Sequence, residues 1–185
     1  MEKSYFITGI DTGCGKTIAS SVLVRALGAS YWKPIQCGDL DNSDSKIVTR
    51  LGSCGDTKKI LPERFSLKMA ASPHLAADAE SLSVNVKDFQ PLTEEIINQG
   101  VIVEGAGGVY VPLNKKELMI DLIKHLDLTV IVVSRNYLGS INHTLMTVEA
   151  LRSKGIEIKG IIFSGDGDPD LERFICKKCD LKHLL

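Results

Sequence analysis

Short apolar runs rich in β-branched residues punctuate the chain at Tyr5 to Thr8, Val101 to Val103, Thr129 to Val133 and Ile158 to Phe163, the last interrupted by Gly160. A shorter one, Tyr31-Trp32, stands just before Lys33-Pro34. Runs of this length without polar alternation suit strands buried on both faces, as in a parallel sheet covered by helices. Between them, apolar positions recur at helical spacing. Ile18, Val22 and Ala26 share a face with Ala19, Leu23 and Leu27, and Gly28 closes the segment. Phe89, Leu92 and Ile96 predict a second helix, with Pro91 in its first turn and Gly100 after its end. Met119, Leu122, Ile123 and Leu126 form a third stripe, and Ile141, Leu145 and Val148 a fourth that ends at Gly155. A short helix is expected from Pro169 onward. Alternation of this kind predicts an α/β fold of three layers, with a mostly parallel central sheet flanked by helices. The stretch from Cys37 to Pro73, rich in Gly, Ser, Asp and Pro, reads as irregular, and loops at strand C-termini carry the chemistry in such folds.

Composition narrows this picture. The 185 residues suit one domain, read as spanning 1–185, and 44% hydrophobic with 24% charged residues is an ordinary globular mix. Lys plus Arg (22) nearly balances Asp plus Glu (23), so no global basic field exists to hold nucleic acid or an anionic membrane. The run Val130 to Val133 is far short of a bilayer span, and Met1 to Phe6 lacks the apolar core of an export signal, so a cytoplasmic location is expected. Cys14, Cys37, Cys54, Cys176 and Cys179 are an odd set without regular spacing, read as free thiols. Cys176 and Cys179 have the spacing of half a zinc site. With no second pair they read as a plain helix-end pair.

The strongest chemical signal is Gly9-Ile10-Asp11-Thr12-Gly13-Cys14-Gly15-Lys16-Thr17, which follows a strand and opens an amphipathic helix. Such a loop turns backbone N–H groups around phosphate oxygens at a helix N-terminus, which makes the predicted fold P-loop NTPase-like. Five residues separate Gly9 from Gly15, one more than in the common form of this motif. Lys16 would reach the β- and γ-phosphates and the Thr17 hydroxyl would bind Mg²⁺. Glu104 ends an apolar run and precedes Gly105-Ala106-Gly107-Gly108, a position suited to holding a metal or orienting water. Lys33, stiffened by Pro34, is a candidate for a second anion in the same crevice.

Read together, these segments resemble the dethiobiotin synthetase family. The matching pieces are Gly9-x-Asp11-Thr12-x-x-Gly15-Lys16-Thr17, Lys33-Pro34-Ile35-Gln36-Cys37-Gly38, Asn42-Ser43-Asp44, Ser72-Pro73-His74, Val103 to Pro112 and Leu138 to Thr144, in family order from residue 5 to about 164. The resemblance implies a ligase that joins CO₂ to 7,8-diaminononanoate with ATP as co-substrate and closes the ring to dethiobiotin through a carbamic-phosphoric anhydride. It implies Thr17, Asp44 and Glu104 as Mg²⁺ ligands, and Lys16, Lys33 and Thr12 as catalytic residues. Nucleotide contacts are implied at Gly13, Cys14, Gly15, Lys16, Thr17, Ile18, Glu104, Gly107 and Ser164. Substrate contacts are implied at Thr12, Lys33, Cys37, Gly107, Gly108 and Val109. Gly139, Ser140, Ile141 and Asn142 would receive the substrate carboxylate across a homodimer interface, so each active site would use both subunits.

The chain departs from the family pattern at three places. Cys37 stands where a Ser or Thr hydroxyl is common, and Gly13 where some members have Glu. Ser164 stands at the position of the base-recognising Asn, and the sequence stops at Leu185 before a further strand and loop. Relaxed discrimination among nucleotide bases is therefore expected. An alternative on the same fold is a partition- or septum-positioning regulatory ATPase. Gly9, Ile10 and Asp11 lack the second loop lysine of that class, and Leu171, Phe174 and Ile175 with Arg173, Lys177 and Lys178 are a faint version of its basic membrane helix. A cobalamin-precursor amidating synthetase would need a glutaminase domain, and an iron–sulfur carrier paired cysteines at a dimer seam.

Overall fold

The computed structural model describes residues 3–52, 55–56 and 59–184; Met1, Glu2, Cys54 and Leu185, on which some sequence expectations fall, lie outside them. Six strands form the main sheet: β1 (Tyr5–Gly9), β2 (Ser30–Trp32), β4 (Ile60–Leu61), β6 (Val101–Gly108), β7 (Val130–Arg135) and β8 (Ile158–Ser164). Their order is β4-β2-β6-β1-β7-β8 and every pairing is parallel, as the unalternating apolar runs predict. Two three-residue strands, β3 (Ile35–Cys37) and β5 (Phe65–Leu67), pair in parallel as a separate small sheet.

Alternate residues of the central strands feed two cores. Tyr5, Ile7, Tyr31, Ile102, Ile131 and Val133 pack with α1 (Lys16–Leu27) and α2 (Asp44–Leu51) on one face. Phe6, Val101, Val103, Val130 and Val132 face α5 (Met119–Leu126), α6 (Ser140–Ser153) and α7 (Pro169–Cys179) on the other. This is the three-layer α/β arrangement expected of the sequence. The two remaining α-helices among the described residues are α3 (Pro73–Ala79) and α4 (Glu94–Gln99).

Several elements differ from the sequence expectation. The stretch between Cys37 and Pro73 is not merely loop: it holds α2, β4 and β5. The helix expected from Phe89 starts only at Glu94, where the Thr93 hydroxyl accepts from the Ile96 amide (3.4 Å). Phe89 instead buries its ring against Phe65, and its carbonyl accepts from the His125 ring. On α1 the stripe Ile18, Val22 and Ala26 faces outward while Ala19, Ser20, Ser21, Leu23 and Val24 are buried. Small serines are buried there because α2 approaches closely: a Cβ on Gly52 would stand 2.9 Å from the Ser21 carbonyl oxygen. On α7, Ile175 is fully buried, Leu171 is half-buried and only Phe174 is exposed, so most of its apolar stripe joins the core. No helix among the described residues is long and apolar enough to cross a membrane.

Candidate functional site

The loop between β1 and α1 closes on the C-terminal edge of the sheet. Its shape depends on glycine at two points. Gly15 has φ +92°, and a Cβ there would also meet the Ser164 side chain at 2.8–2.9 Å. A Cβ on Gly9 would stand 2.3 Å from the Cys14 sulfur, which is packed inward beneath the loop. The Lys16 ammonium donates to the Asp11 carbonyl (2.8 Å) and lies 3.9 Å from Cys14 Sγ.

Three elements meet on the α1/α2 face of the sheet. Thr17 is in the first turn of α1, Asp44 opens α2 after the N-cap Ser43, and Glu104 sits within β6. Thr17 Oγ1 is 2.8 Å from Asp44 Oδ1 and 3.0 Å from Glu104 Oε1. One hydroxyl proton cannot serve two carboxylate oxygens at once, so two carboxylate oxygens converge on the Thr17 hydroxyl and share its one proton. An all-oxygen cluster of this kind fits a hard cation such as Mg²⁺, whose remaining positions phosphate and water usually fill. Among the described residues no group of three or more His, Cys, Asp or Glu side chains is placed to hold a metal without such help.

Lys33 follows β2 and is buried. Its three N–H donors are all engaged, by Asp44 Oδ2 (2.6 Å), Glu104 Oε1 (3.2 Å) and the Gly105 carbonyl (3.0 Å). Burial alone would lower the Lys33 pKa, but the charges of Glu104 and Asp44 outweigh it and hold it above the usual lysine range. Burial would likewise raise the Asp44 carboxyl, yet Lys33 beside it keeps it below the usual carboxylate range. Asp44 is therefore a carboxylate and Lys33 an ammonium near neutral pH.

Two side chains that the sequence reading passed over complete this arrangement. The Tyr31 hydroxyl donates to Glu104 Oε2 (3.0 Å), and burial, then the Glu104 charge, push its pKa well above the ordinary phenol value. Gln36 accepts from the Asp44 backbone N–H (3.3 Å) and donates to the Gly38 carbonyl (3.0 Å), which ties α2 to the end of β3. Neither stands out in sequence, because a Tyr in an apolar strand reads as core and a lone Gln reads as surface.

A cavity of about 640 Å³ opens over these groups, lined on one side by the loop and on another by Lys33, Cys37, Asp44 and Glu104. This is the size range of small-molecule sites. Thr12, Gly13, Gly15, Lys16, Thr17, Ile18 and Gly107 also line it, and the exposure of Ile18 is explained by that position. Gly107 reaches Thr12 because β6 carries extra residues against β1: Ile7 pairs with Glu104, but Gly9 with Gly108. Burial, partly offset by Lys33, pushes the Cys37 thiol up to about 11, so it is a neutral thiol in this wall.

The other expected contacts lie elsewhere. Cys14 belongs to the loop with its side chain packed beneath it, and Ser164 is behind it, its hydroxyl donating to the Cys14 carbonyl (2.6 Å). Val109 is buried, and neither it nor Gly108 lines the cavity. Gly139, Ser140, Ile141 and Asn142 form the start of α6, also outside the cavity lining of this one chain. Cys176 and Cys179 stand in the last turns of α7 as free thiols, Cys179 buried.

Comparisons with known proteins bear on the family. A family model described as an AAA domain matches residues 3–185. The fold resembles that of a ParA family ATPase from Chlorobium tepidum (TM-score 0.52, 12% identity, 99% of this chain and 83% of that one), a likeness of fold alone. The sequence is 51% identical over 178 residues to the ATP-dependent dethiobiotin synthetase BioD of Christiangramia forsetii, covering 96% of this chain and 83% of that protein. It is 45% identical to the same enzyme of Cytophaga hutchinsonii over 99% of this chain and 87% of that protein, and 38% identical to that of Afipia carboxidovorans over 100% and 86%. With the phosphate loop, the oxygen cluster and the buried Lys33 in place, these identities show that the chain belongs to the ATP-dependent dethiobiotin synthetase family.

Proposed function

We propose that residues 1–185 form one nucleotide-binding synthetase domain that makes dethiobiotin from 7,8-diaminononanoate, CO₂ and ATP. The observation that carries this reading is Lys33: a second buried ammonium held beside Glu104 and Asp44, in the wall of the cavity that the phosphate loop also lines. The regulatory ATPases of the alternative reading carry their second lysine within the loop, not beside the carboxylates of the facing wall. A reaction between two anions needs positive charge on both sides of the forming bond.

The chemistry then runs as follows. One substrate amine adds to CO₂, loses a proton and becomes a carbamate. A carbamate oxygen attacks the γ-phosphorus of ATP, ADP leaves, and a carbamic-phosphoric anhydride forms. The second amine attacks the carbamoyl carbon, closes the ring and expels phosphate. Lys16 and the loop N–H groups would hold the phosphates in line, while Lys33 and Thr12 would orient the carbamate. Thr17, Asp44 and Glu104 would hold Mg²⁺, which when bound neutralises phosphate charge. Neutral Cys37 would line the carbamate side without adding a competing negative charge.

The start of α6 would receive the substrate carboxylate of the partner subunit's site. Support comes from exposed Leu138 and Tyr137 beside Gly139–Asn142, an apolar lip suited to a subunit contact. A cytoplasmic homodimer acting on small molecules is the resulting assembly.

The test is direct. The purified chain incubated with diaminononanoate, bicarbonate and MgATP is expected to yield dethiobiotin by mass spectrometry. Nucleotide hydrolysis without that product would sink the synthetase reading. Nucleotide choice provides a second prediction. Ser164, at the base-recognising position, commits its hydroxyl to the Cys14 carbonyl and so has no proton left to read a base. ATP, CTP and GTP are expected to differ in kcat/KM by less than about a hundredfold, where dedicated hydrogen bonds would separate them by roughly 10⁴. A preference for ATP of the latter size would refute relaxed selection.

A further inference from the structure

Glu104 presents its two oxygens to different surroundings. Oε1 faces Thr17 and Lys33, whereas the buried Oε2 has Tyr31 as its partner among the described residues. Tyr31 is itself completely buried, in a core that includes Ile7, Ala19, Val24, Val48 and Ile102. A phenylalanine would fill that space without a polar group to satisfy, and among the described residues the hydroxyl serves Glu104. Register explains the reach: Tyr31 pairs with Ile102 across β2 and β6, and the next residue of β6 on that face is Glu104.

We propose that Tyr31 is a positioning residue for the cation site, locking the Glu104 carboxylate so that Oε1 stays turned toward Thr17 Oγ1 and Asp44 Oδ1. Without the phenol, a buried Oε2 would have no donor. The carboxylate would then gain by rotating so that Oε2 takes over the Lys33 N–H that Oε1 now accepts, drawing Oε1 away from the other two ligands. The inference rests on the proposal that Thr17, Asp44 and Glu104 bind Mg²⁺. It assigns to Tyr31 a share in metal affinity that acts through Glu104, without contact to substrate or nucleotide.

The experiment is Mn²⁺ titration of the ADP-bound protein, read by electron paramagnetic resonance, for the wild type and Tyr31→Phe, with ADP binding in EDTA as the control. The expected result is a Kd for Mn²⁺ weakened by about 10- to 100-fold, as for other groups that orient a metal's ligands, with metal-free ADP affinity unchanged within about twofold. Synthetase activity should fall at low Mg²⁺ and recover at high Mg²⁺. Unchanged Mn²⁺ affinity, or equal weakening of metal-free and metal-bound ADP, would overturn the inference. Failure of the wild type to bind Mn²⁺ in the presence of ADP would instead remove the metal assignment beneath it. If Tyr31→Phe does not fold, the wild type carrying 3-fluorotyrosine at its four tyrosines decides. The Tyr31 fluorine resonance should move when Mg²⁺ joins bound ADP, and a static signal would refute the coupling.

Discussion

Lys16→Ala is expected to abolish dethiobiotin formation, lowering kcat/KM by at least about 10³-fold, while leaving the fold nearly as stable as before. The magnitude follows from removing a fixed positive charge aimed at a transferring phosphoryl group, where single preorganised donors are worth about 10²–10³ and this one also positions the nucleotide. The small cost in stability follows from its surroundings. Lys16 has no carboxylate partner among the described residues and donates to the Asp11 carbonyl at 2.8 Å. Asp11 is exposed, so water can replace the lost donor, and the expected cost is about 1 kcal/mol or less. Product formation under saturating MgATP and a melting curve check both halves. Activity above about a tenth of wild type would place the phosphoryl-stabilising charge elsewhere.

The contrast between what the chain's pattern reveals and what it conceals is physical. Gly9 to Thr17 is legible because a strand, a glycine-rich turn and a helical period follow one another within a few residues, and all its constraints are local. Glu104 is legible because an acid at the end of Val101 to Val103 has no reason to be there in a plain core strand. Asp44 became a candidate only through family resemblance, since its link to Thr17 crosses 27 positions and a three-residue strand precedes it. Tyr31 and Gln36 were missed because their partners are fixed by sheet order, which apolar periodicity does not encode. Tyr31 meets Glu104 73 positions away.

Helix faces show the same limit. On α1 two adjacent apolar stripes compete, and spacing alone does not say which turns inward. Close packing of α2 at Ser21 selects the face with the small side chains and leaves Ile18 to the cavity. At Phe89 and Leu92 the helical spacing is a coincidence of a chain that dips into the core before Thr93 caps the real helix.

Lys33→Met is expected to behave differently from Lys16→Ala, costing both activity and stability. Its ammonium satisfies Asp44, Glu104 and the Gly105 carbonyl from a buried position. Removing it leaves Glu104, only 1% exposed, and Asp44 facing each other with the Thr17 hydroxyl proton between them. Breaking a buried pair from one side costs about 3–5 kcal/mol. In a chain of this size each kcal/mol moves Tm by about 2–4 °C, so a fall of roughly 10 °C is expected. Mg²⁺ should raise the Tm of the variant more than that of the wild type, because a cation bound at the oxygen cluster would restore the missing charge. The difference in Tm should also depend on pH with a definite sign. Asp44 is held below its ordinary pKa by Lys33, so its stabilising share is present above about pH 4 and lost as pH falls through the lowered value. Lys33 is held above its ordinary pKa, so its share is complete below about pH 10 and lost as pH rises through the raised value. The gap between wild type and variant should therefore be widest from about pH 5 to 9 and narrow at either end. A variant melting within about 2 °C of wild type at pH 7 would mean that burial of the cluster cancels its attraction, and Lys33 would then matter to the reaction alone.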